Sequence, residues 1–303
     1  PDHPPRPVKR PAPTPPLADR PRELSVTQIE TWMRDPYQIY ARKVLELEAL
    51  DPIDADPGGA ERGLFIHAAL ERFIRAHPVD LPESAAETLL EFGRQALKEL
   101  AVPPEVEAFW WPRFEKVVHL FLGQEKEWRQ IAHFEKAEVR GRLDMNFSSG
   151  SFTLTCKADR IDRLRAGGYA IIDYKSGVVP TPRDVKAGLS PQLPLEALML
   201  EHGAFEDLTA GPVEDLIYWK VTGSGKAPVE FKSVVDEPGK GADAQTLSAE
   251  AMRGIEKLVS AFDDLLTPYY SRPRGGASVR FSDYDHLSRV REWSISGDAE
   301  DAA

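Results

Sequence analysis

Residues 171–177 read IIDYKSG, an aspartate and a lysine two positions apart inside an otherwise apolar run. Successive side chains of a β-strand point to opposite faces, so Asp173 and Lys175 share one face while Ile172 and Tyr174 take the other. A charged pair on so apolar a strand has to meet water or a partner. Upstream, KADRID carries Asp159, and a hairpin turning at RAGG brings Asp159 beside Asp173, so that two carboxylates converge. An Asp–Lys pair on a sheet is most often a structural salt bridge, so a chemical role needs further parts. Two are at hand. His67, in RGLFIHAALERFI, shares a helical stripe with Leu64, Leu70, Phe73 and Ile74 and is expected to face inward, and Gln192 opens a helix in PQLPLEALMLEHG. A lone inward histidine is ordinarily a satisfied core residue, but beside two aspartates it can complete a ligand set.

The elements that would carry these residues follow from periodicity. Ser25 and Gln28 form a capping box at the start of LSVTQIETW, where Ile29, Trp32 and Met33 recur at helical spacing. Helical pattern continues from Ser84 to Leu100 and from about Pro104 to His133, the latter with Trp110, Phe114, Phe121 and Trp128 as core stripes. From Phe134 the period changes to strands, with turn signals SSGS and RAGG between FEKAEVRGRLDMNF, SFTLTCKADRID and GYAIIDYKSG, an antiparallel meander. DLIYWKV and VEFKSVV form a hairpin across TGSGKAP. That turn is not a phosphate loop, because Lys220 stands where the first glycine of the motif belongs and Ala227 follows Lys226. A last amphipathic helix runs from Ser248 to about Tyr270, with Met252, Ile255, Val259, Phe262 and Leu266 on its stripe.

Composition narrows the function classes. The chain has 303 residues, 42% of them hydrophobic, which suffices for a sizeable core. No apolar run is long enough for a membrane span and no secretory signal pattern is present, so the expected location is the cytoplasm. Nine of the first 21 residues are proline, the composition of an extended, solvated linker. With no initial methionine, the chain is expected to be the carboxy-terminal piece of something longer. The division expected is a linker at 1–23, a helical region carrying the histidine at 24–133, a core with its closing helix at 134–296, and a tail at 297–303. A net charge of −11 argues against general wrapping of nucleic acid, yet between Lys157 and Lys186 seven basic residues stand against four acidic ones.

The ordered set of His67, Asp159, Asp173-x-Lys175 and Gln192 resembles the RecB-like branch of the PD-(D/E)XK nuclease superfamily. Within it, LSVTQIETWMRDPYQIYARKVLEL, RGLFIHAALERF, KADRID, IIDYKSG, SPQLPLEALML and the ending YDHLSRVREW resemble the carboxy-terminal nuclease domain of the AddB family. The resemblance implies an α/β restriction-endonuclease-like core, with a mixed sheet flanked by helices. It implies a Mg²⁺- or Mn²⁺-dependent deoxyribonuclease, an exonuclease on single-stranded DNA ends made by a helicase. The setting would be double-strand break repair by homologous recombination, with an AddA-like helicase–nuclease subunit as partner. Asp159, Asp173, His67 and the Tyr174 backbone carbonyl would hold the metal, with Lys175 and Gln192 catalytic. Two departures stand out. Many AddB proteins bind an iron–sulfur cluster through four cysteines, whereas this chain has one, Cys156, and places Asp35 where the first is expected, so no cluster is expected. Where the family commonly has a tyrosine four residues after the glutamine, this chain has Glu196. Arg160 and Asp162 read as scaffold, and Asp144 in GRLD lies too far upstream to replace Asp159.

The chemistry is that of phosphodiester hydrolysis, which needs charge neutralised on the phosphate and a water deprotonated near neutral pH; hard oxygen ligands holding Mg²⁺ or Mn²⁺ serve both needs. The competing class is a non-catalytic DNA-binding or subunit-docking domain. A decayed site of that kind would have lost at least one of His67, Asp159, Asp173 or Lys175, and all four are present.

Overall fold

Gln28 and Ser25 cap one another: the Gln28 amide donates to Ser25 Oγ at 3.2 Å and the Ser25 amide to Gln28 Oε1 at 3.0 Å. These bonds satisfy donors that a helix start otherwise leaves open, and they fix the passage from β1 (Glu23–Ser25) into α1 (Val26–Arg34). In this computed structural model the described residues are 9–48, 50, 58–148, 150–236, 241–272 and 282–294. The chain continues through α2 (Pro36–Ile39), α3 (Gly59–Ala76), α4 (Ala85–Glu99) and α5 (Pro104–Trp128). Three strands follow, β2 (Ala132–Phe147), β3 (Gly150–Leu164) and β4 (Tyr169–Lys175). Then come α6 (Pro182–Lys186), α7 (Gln192–Glu201), β5 (Val213–Val221), β6 (Val229–Ser233), α8 (Ala244–Asp263) and α9 (Val290–Trp293). Among the described residues no helix is long and apolar enough to cross a membrane.

The six strands form a mixed sheet in the order β1-β3-β4-β5-β6, with β2 beside β3. β3 and β4 are antiparallel, β4 and β5 parallel, and β5 and β6 antiparallel. The β3–β4 reversal at RAGG depends on Gly167 and Gly168 at φ 105° and 77°, backbone that side-chain-bearing residues rarely adopt. This is the flanked mixed α/β sheet that the sequence led us to expect.

Two compact units divide the chain, and neither is contiguous: 1–51, 144–155 and 253–303 form the first, 52–143 and 156–252 the second. In the first, Trp32 packs on Phe262 with centroids 4.7 Å apart, and Phe262 on Tyr269 at 4.6 Å. Residues 1–8 of the proline arm lie outside the described residues, but its continuation is held rather than loose. Arg20 is buried, and its guanidinium donates to the carbonyls of Pro15, Phe262, Asp264 and Leu265. Asp35 is 1% exposed; it accepts from the Arg272 amide at 3.2 Å and from Gln38 Nε2 at 3.1 Å. Asp35 thus ties segment 35 to segment 272.

In the second unit, Ile172, Tyr174, Ile217, Trp219 and Val221 form one sheet face, packed with Phe65, Phe73, Phe114, Phe121 and Trp128 of α3 and α5. A fully buried ion network sits there as well. Arg160 donates to Glu125 at 2.8 and 3.1 Å, to Asp162 at 2.7 to 3.0 Å and to the Tyr174 hydroxyl at 3.1 Å. Burial pushes the Glu125 carboxyl up, but Arg160 and Arg129 outweigh it and hold the group below its usual range. Strand alternation sends Arg160 and Asp162 to this face and Asp159 to the other.

Three expected stripes end differently. Leu64 is 61% exposed, because the buried line of α3 runs through Gly63, Ile66, Leu70, Phe73 and Ile74. His67 therefore sits at the border of the packed face rather than pointing into it. α8 stops at Asp263, and Leu266, 84% exposed, lies in the following turn before Pro268. α5 stops at Trp128, because β2 begins at Ala132.

Candidate active site

β4 presents Asp173 and Lys175 on the face opposite Tyr174, and α7 lies against β4 and β5. α7 is buried all round from Leu193 to Leu200, so a polar group on it is held by specific partners. Gln192, at its first turn, makes three such contacts. Its Nε2 donates to Asp173 Oδ1 at 2.6 Å and to Glu196 Oε1 at 3.2 Å, and its Oε1 accepts from Lys175 Nζ at 3.0 Å. Lys175 Nζ closes the ring at 2.7 Å from Asp173 Oδ2. Both Asp173 oxygens are thus held, Oδ1 by Gln192 and Oδ2 by the Lys175 ammonium.

Continuing the β3–β4 register by one step from Arg160–Ile172 sets Asp159 opposite Asp173. There the Tyr174 amide donates to the Asp159 carboxylate at 2.9 Å. His67 Nδ1 lies 3.5 Å from the same Asp159 oxygen, and its ring stands edge-on to Tyr174. One turn before His67, a Cβ on Gly63 would stand 2.7 Å from Ser176 Oγ. Glycine at that point lets α3 come close to the end of β4 and bring His67 with it.

The structure adds a residue that sequence pattern did not single out. Glu138, on β2, joins His67 and Asp159 in a group whose ligand atoms lie within 4.8 Å of one another. Glu138 has φ 52°, a left-handed backbone inside a strand, and such outliers concentrate at functional sites. Lys157 is ion-paired with it, and Arg75 of α3 donates to the neighbouring Ala137 carbonyl at 2.7 Å. In sequence, Glu138 reads as an ordinary outward position between Ala137 and Val139, and nothing there signals the turned backbone.

Electrostatics mark the cluster as short of positive charge. Burial, and then the Asp173 charge, push the Asp159 carboxyl well above its usual range. Burial, then Asp173 and Asp159, do the same to Glu196. Burial disfavours the Lys175 ammonium, but Asp173 outweighs it and holds the amine above the usual lysine range. Burial lowers His67 against the pull of Asp173 and Glu138, which keeps the imidazole neutral, the form that binds metal. Carboxylate oxygens together with a neutral imidazole suit Mg²⁺ or Mn²⁺. His67, Asp159, Asp173, Lys175 and Gln192 are thus brought together, and Tyr174 joins through its backbone N–H.

This chain is similar to uncharacterized proteins of Rickettsia species. An uncharacterized protein of Rickettsia bellii is 32% identical over 185 residues, covering 61% of this chain and 22% of the relative. An uncharacterized protein of Rickettsia conorii is 28% identical over 284 residues, covering 89% of this chain and 34% of the relative. The chain therefore spans between about a fifth and a third of the curated relatives it matches. Among solved structures, the crystal structure of SSO0001 matches with a TM-score of 0.32 at 13% identity, covering 79% of this chain and 76% of that one, too loosely to carry an argument. The profile of the PD-(D/E)XK nuclease superfamily, in contrast, matches residues 23–270, which include every residue of the cluster. The chain belongs to the PD-(D/E)XK nuclease superfamily.

Proposed function

We infer that this chain is a Mg²⁺- or Mn²⁺-dependent deoxyribonuclease. It degrades single-stranded DNA ends produced by a helicase, in an AddAB-like complex that serves double-strand break repair by homologous recombination. The observation that carries the catalytic reading is the closed ring of Asp173, Gln192 and Lys175 facing Asp159. A structural Asp–Lys pair needs no glutamine bonded to both members and no second carboxylate opposite. Asp159, Asp173, His67 and the Tyr174 carbonyl would hold the cation, with Glu138 as a further oxygen donor. Such a cation neutralises phosphate charge and lowers the pKa of a bound water.

Each residue then has a task at a stated atom. Lys175 Nζ, kept charged by Asp173, donates to the attacking water or to a phosphate oxygen as negative charge develops. Gln192 holds both the Lys175 ammonium and the Asp173 carboxylate in place, so neither has to reorganise during the reaction. The local excess of basic residues from Lys157 to Lys186 favours a polyanionic strand near the ring. The share of the relatives' length that the chain spans accords with a nuclease module inside a larger helicase–nuclease subunit, working in the cytoplasm beside an AddA-like partner. The test is digestion of end-labelled single-stranded DNA with Mg²⁺ or Mn²⁺, scored for polarity. Metal-dependent shortening from one end supports the reading, and no cleavage with any divalent cation sinks it.

A further inference from the structure

A cleft of about 250 Å³ opens beside the ring, lined by Gly177, Val178, Tyr218, Lys220, Glu230 and Lys232. Register relates it to the site. Asp173 pairs with Tyr218 and Tyr218 with Lys232, while Lys175 pairs with Lys220 and Lys220 with Glu230. Directly paired residues project to the same side of a sheet, so the cleft lies on the face that carries Asp173 and Lys175. Adjacent strands are about 4.8 Å apart, which puts the β6 end of the cleft roughly 10 Å from β4. Lys175 Nζ stands 5.7 Å from the Tyr218 ring centre, so the tyrosine floors both the ring of catalytic groups and the cleft.

Among the described residues Lys220, Lys232 and Glu230 have no ion pair within 4.0 Å. Glu230 is exposed, and the two lysines are half-buried, with their charges uncommitted. Val178, 70% exposed, supplies an apolar edge, and a Cβ on Gly177 would meet nothing within 4 Å, leaving its backbone open to approach. Two ammonium groups and a small apolar edge match the phosphate and sugar of a polynucleotide, with the exposed Glu230 carboxylate opposite Lys220 as the one acidic group of the lining. The cleft is smaller than the pockets of about 300 to 1,000 Å³ that enclose drug-sized ligands, so it suits one sugar-phosphate unit of a strand that continues past it.

We propose that this cleft is a strand-binding subsite, in which Lys220 and Lys232 grip the phosphodiester next to the one cut at Lys175. The assignment rests on the nuclease reading for its neighbour and on its own lysines for its ligand. An acidic protein segment would satisfy the same charges. A nucleic-acid strand is favoured because the lysines continue, strand by strand, the row that begins at Asp173 and Lys175.

The test is the salt dependence of binding, read by fluorescence anisotropy with a labelled single-stranded oligothymidine on the full chain without divalent metal. Single-strand binding loses about 0.7 in the slope of log affinity against log salt for each phosphate contact removed. Lys220→Gln with Lys232→Gln is expected to make the slope shallower by about 1.4, while Lys98→Gln with Lys126→Gln, on helices α4 and α5, removes equal charge and leaves the slope as it was. Cleavage is scored in parallel. Unchanged slope in the cleft variant, with wild-type cleavage intact, overturns the subsite and spares the nuclease reading. Lysine-dependent binding in a chain that cuts nothing keeps the subsite and overturns the nuclease reading. Lysine-dependent binding of a labelled acidic peptide, with no wild-type affinity for oligothymidine, overturns the subsite as well.

Discussion

Asp159 and Asp173 face each other one step beyond the Arg160–Ile172 pair of the β3–β4 ladder, and the Tyr174 amide bonds to the Asp159 side chain. Like charges in directly opposed positions destabilise a sheet. The fold sustains this pair because Lys175 and Gln192 hold one member and a backbone amide holds the other. The arrangement is suited to a cation that both carboxylates can share.

From this opposition, Asp173→Asn and Lys175→Ala should each reduce metal-dependent DNA cleavage by about a hundred- to a thousandfold or more, the scale of losing one preorganised charge-stabilising group. Asp173→Asn removes a repelling charge, so its melting temperature without metal should equal or exceed that of the wild type. Initial rates on labelled single strands and a thermal scan check both halves. Wild-type rates in either variant would remove the ring from the chemistry.

The same crowding fixes the sign of a pH effect. Glu196 and Asp159 have folded pKa values raised above the unfolded carboxylate range of about 4. Through the window from that range up to their folded values the folded state holds protons that the unfolded chain has released, so their contribution to stability falls as pH rises. His67, lowered by burial, opposes this below about pH 6.5. Comparing wild type with Glu196→Gln isolates one carboxyl. The variant's advantage in metal-free melting temperature should grow as pH rises above the ordinary carboxylate range, and parallel curves would refute the assignment.

Arg160 belongs to the stability side of the sheet. Arg160→Ala leaves buried Asp162 without its cation and buried Glu125 with Arg129 alone, and leaving a buried charge unpaired costs about 3 to 5 kcal/mol. Chemical denaturation should show that loss. A cost under about 1 kcal/mol, the range of an exposed pair, would mean that Arg129 and Trp128, which also bond Glu125 and Asp162, suffice to hold them.

How far the sequence disclosed this site depends on which residues obey a period. Asp173, Lys175 and Asp159 were legible because strand alternation and one glycine turn settle their face and register. The ring through Gln192 was legible only as helix placement, since its three contacts arise from α7 packing across β4 and β5. Leu64 misled because its spacing fits the helix period while the true stripe lies one position away, at Gly63 and Ile66. Glu138 was not legible, because its position depends on a left-handed residue within β2 that no side-chain pattern encodes.

His67 and Glu138 can be told apart by what each loses. His67 lies at the edge of the packed face, 3.5 Å from Asp159 and edge-on to Tyr174, whereas Glu138 is already paired with Lys157. If His67 serves the metal, His67→Ala should weaken Mn²⁺ binding by roughly ten- to a hundredfold or more, since even outer partners of metal ligands carry that much. It should leave metal-free stability nearly unchanged. A histidine held only for the core predicts the reverse, a loss of about 1 to 3 kcal/mol without metal and unaltered affinity. Glu138→Gln keeps the shape and removes one negative charge, so as a ligand it should weaken Mn²⁺ binding while relieving Asp159 of a repelling neighbour. Titration calorimetry with Mn²⁺ and melting curves on the metal-free variants read all four quantities. Unchanged affinity in Glu138→Gln, with affinity lost in His67→Ala, would confine the centre to His67, Asp159 and Asp173.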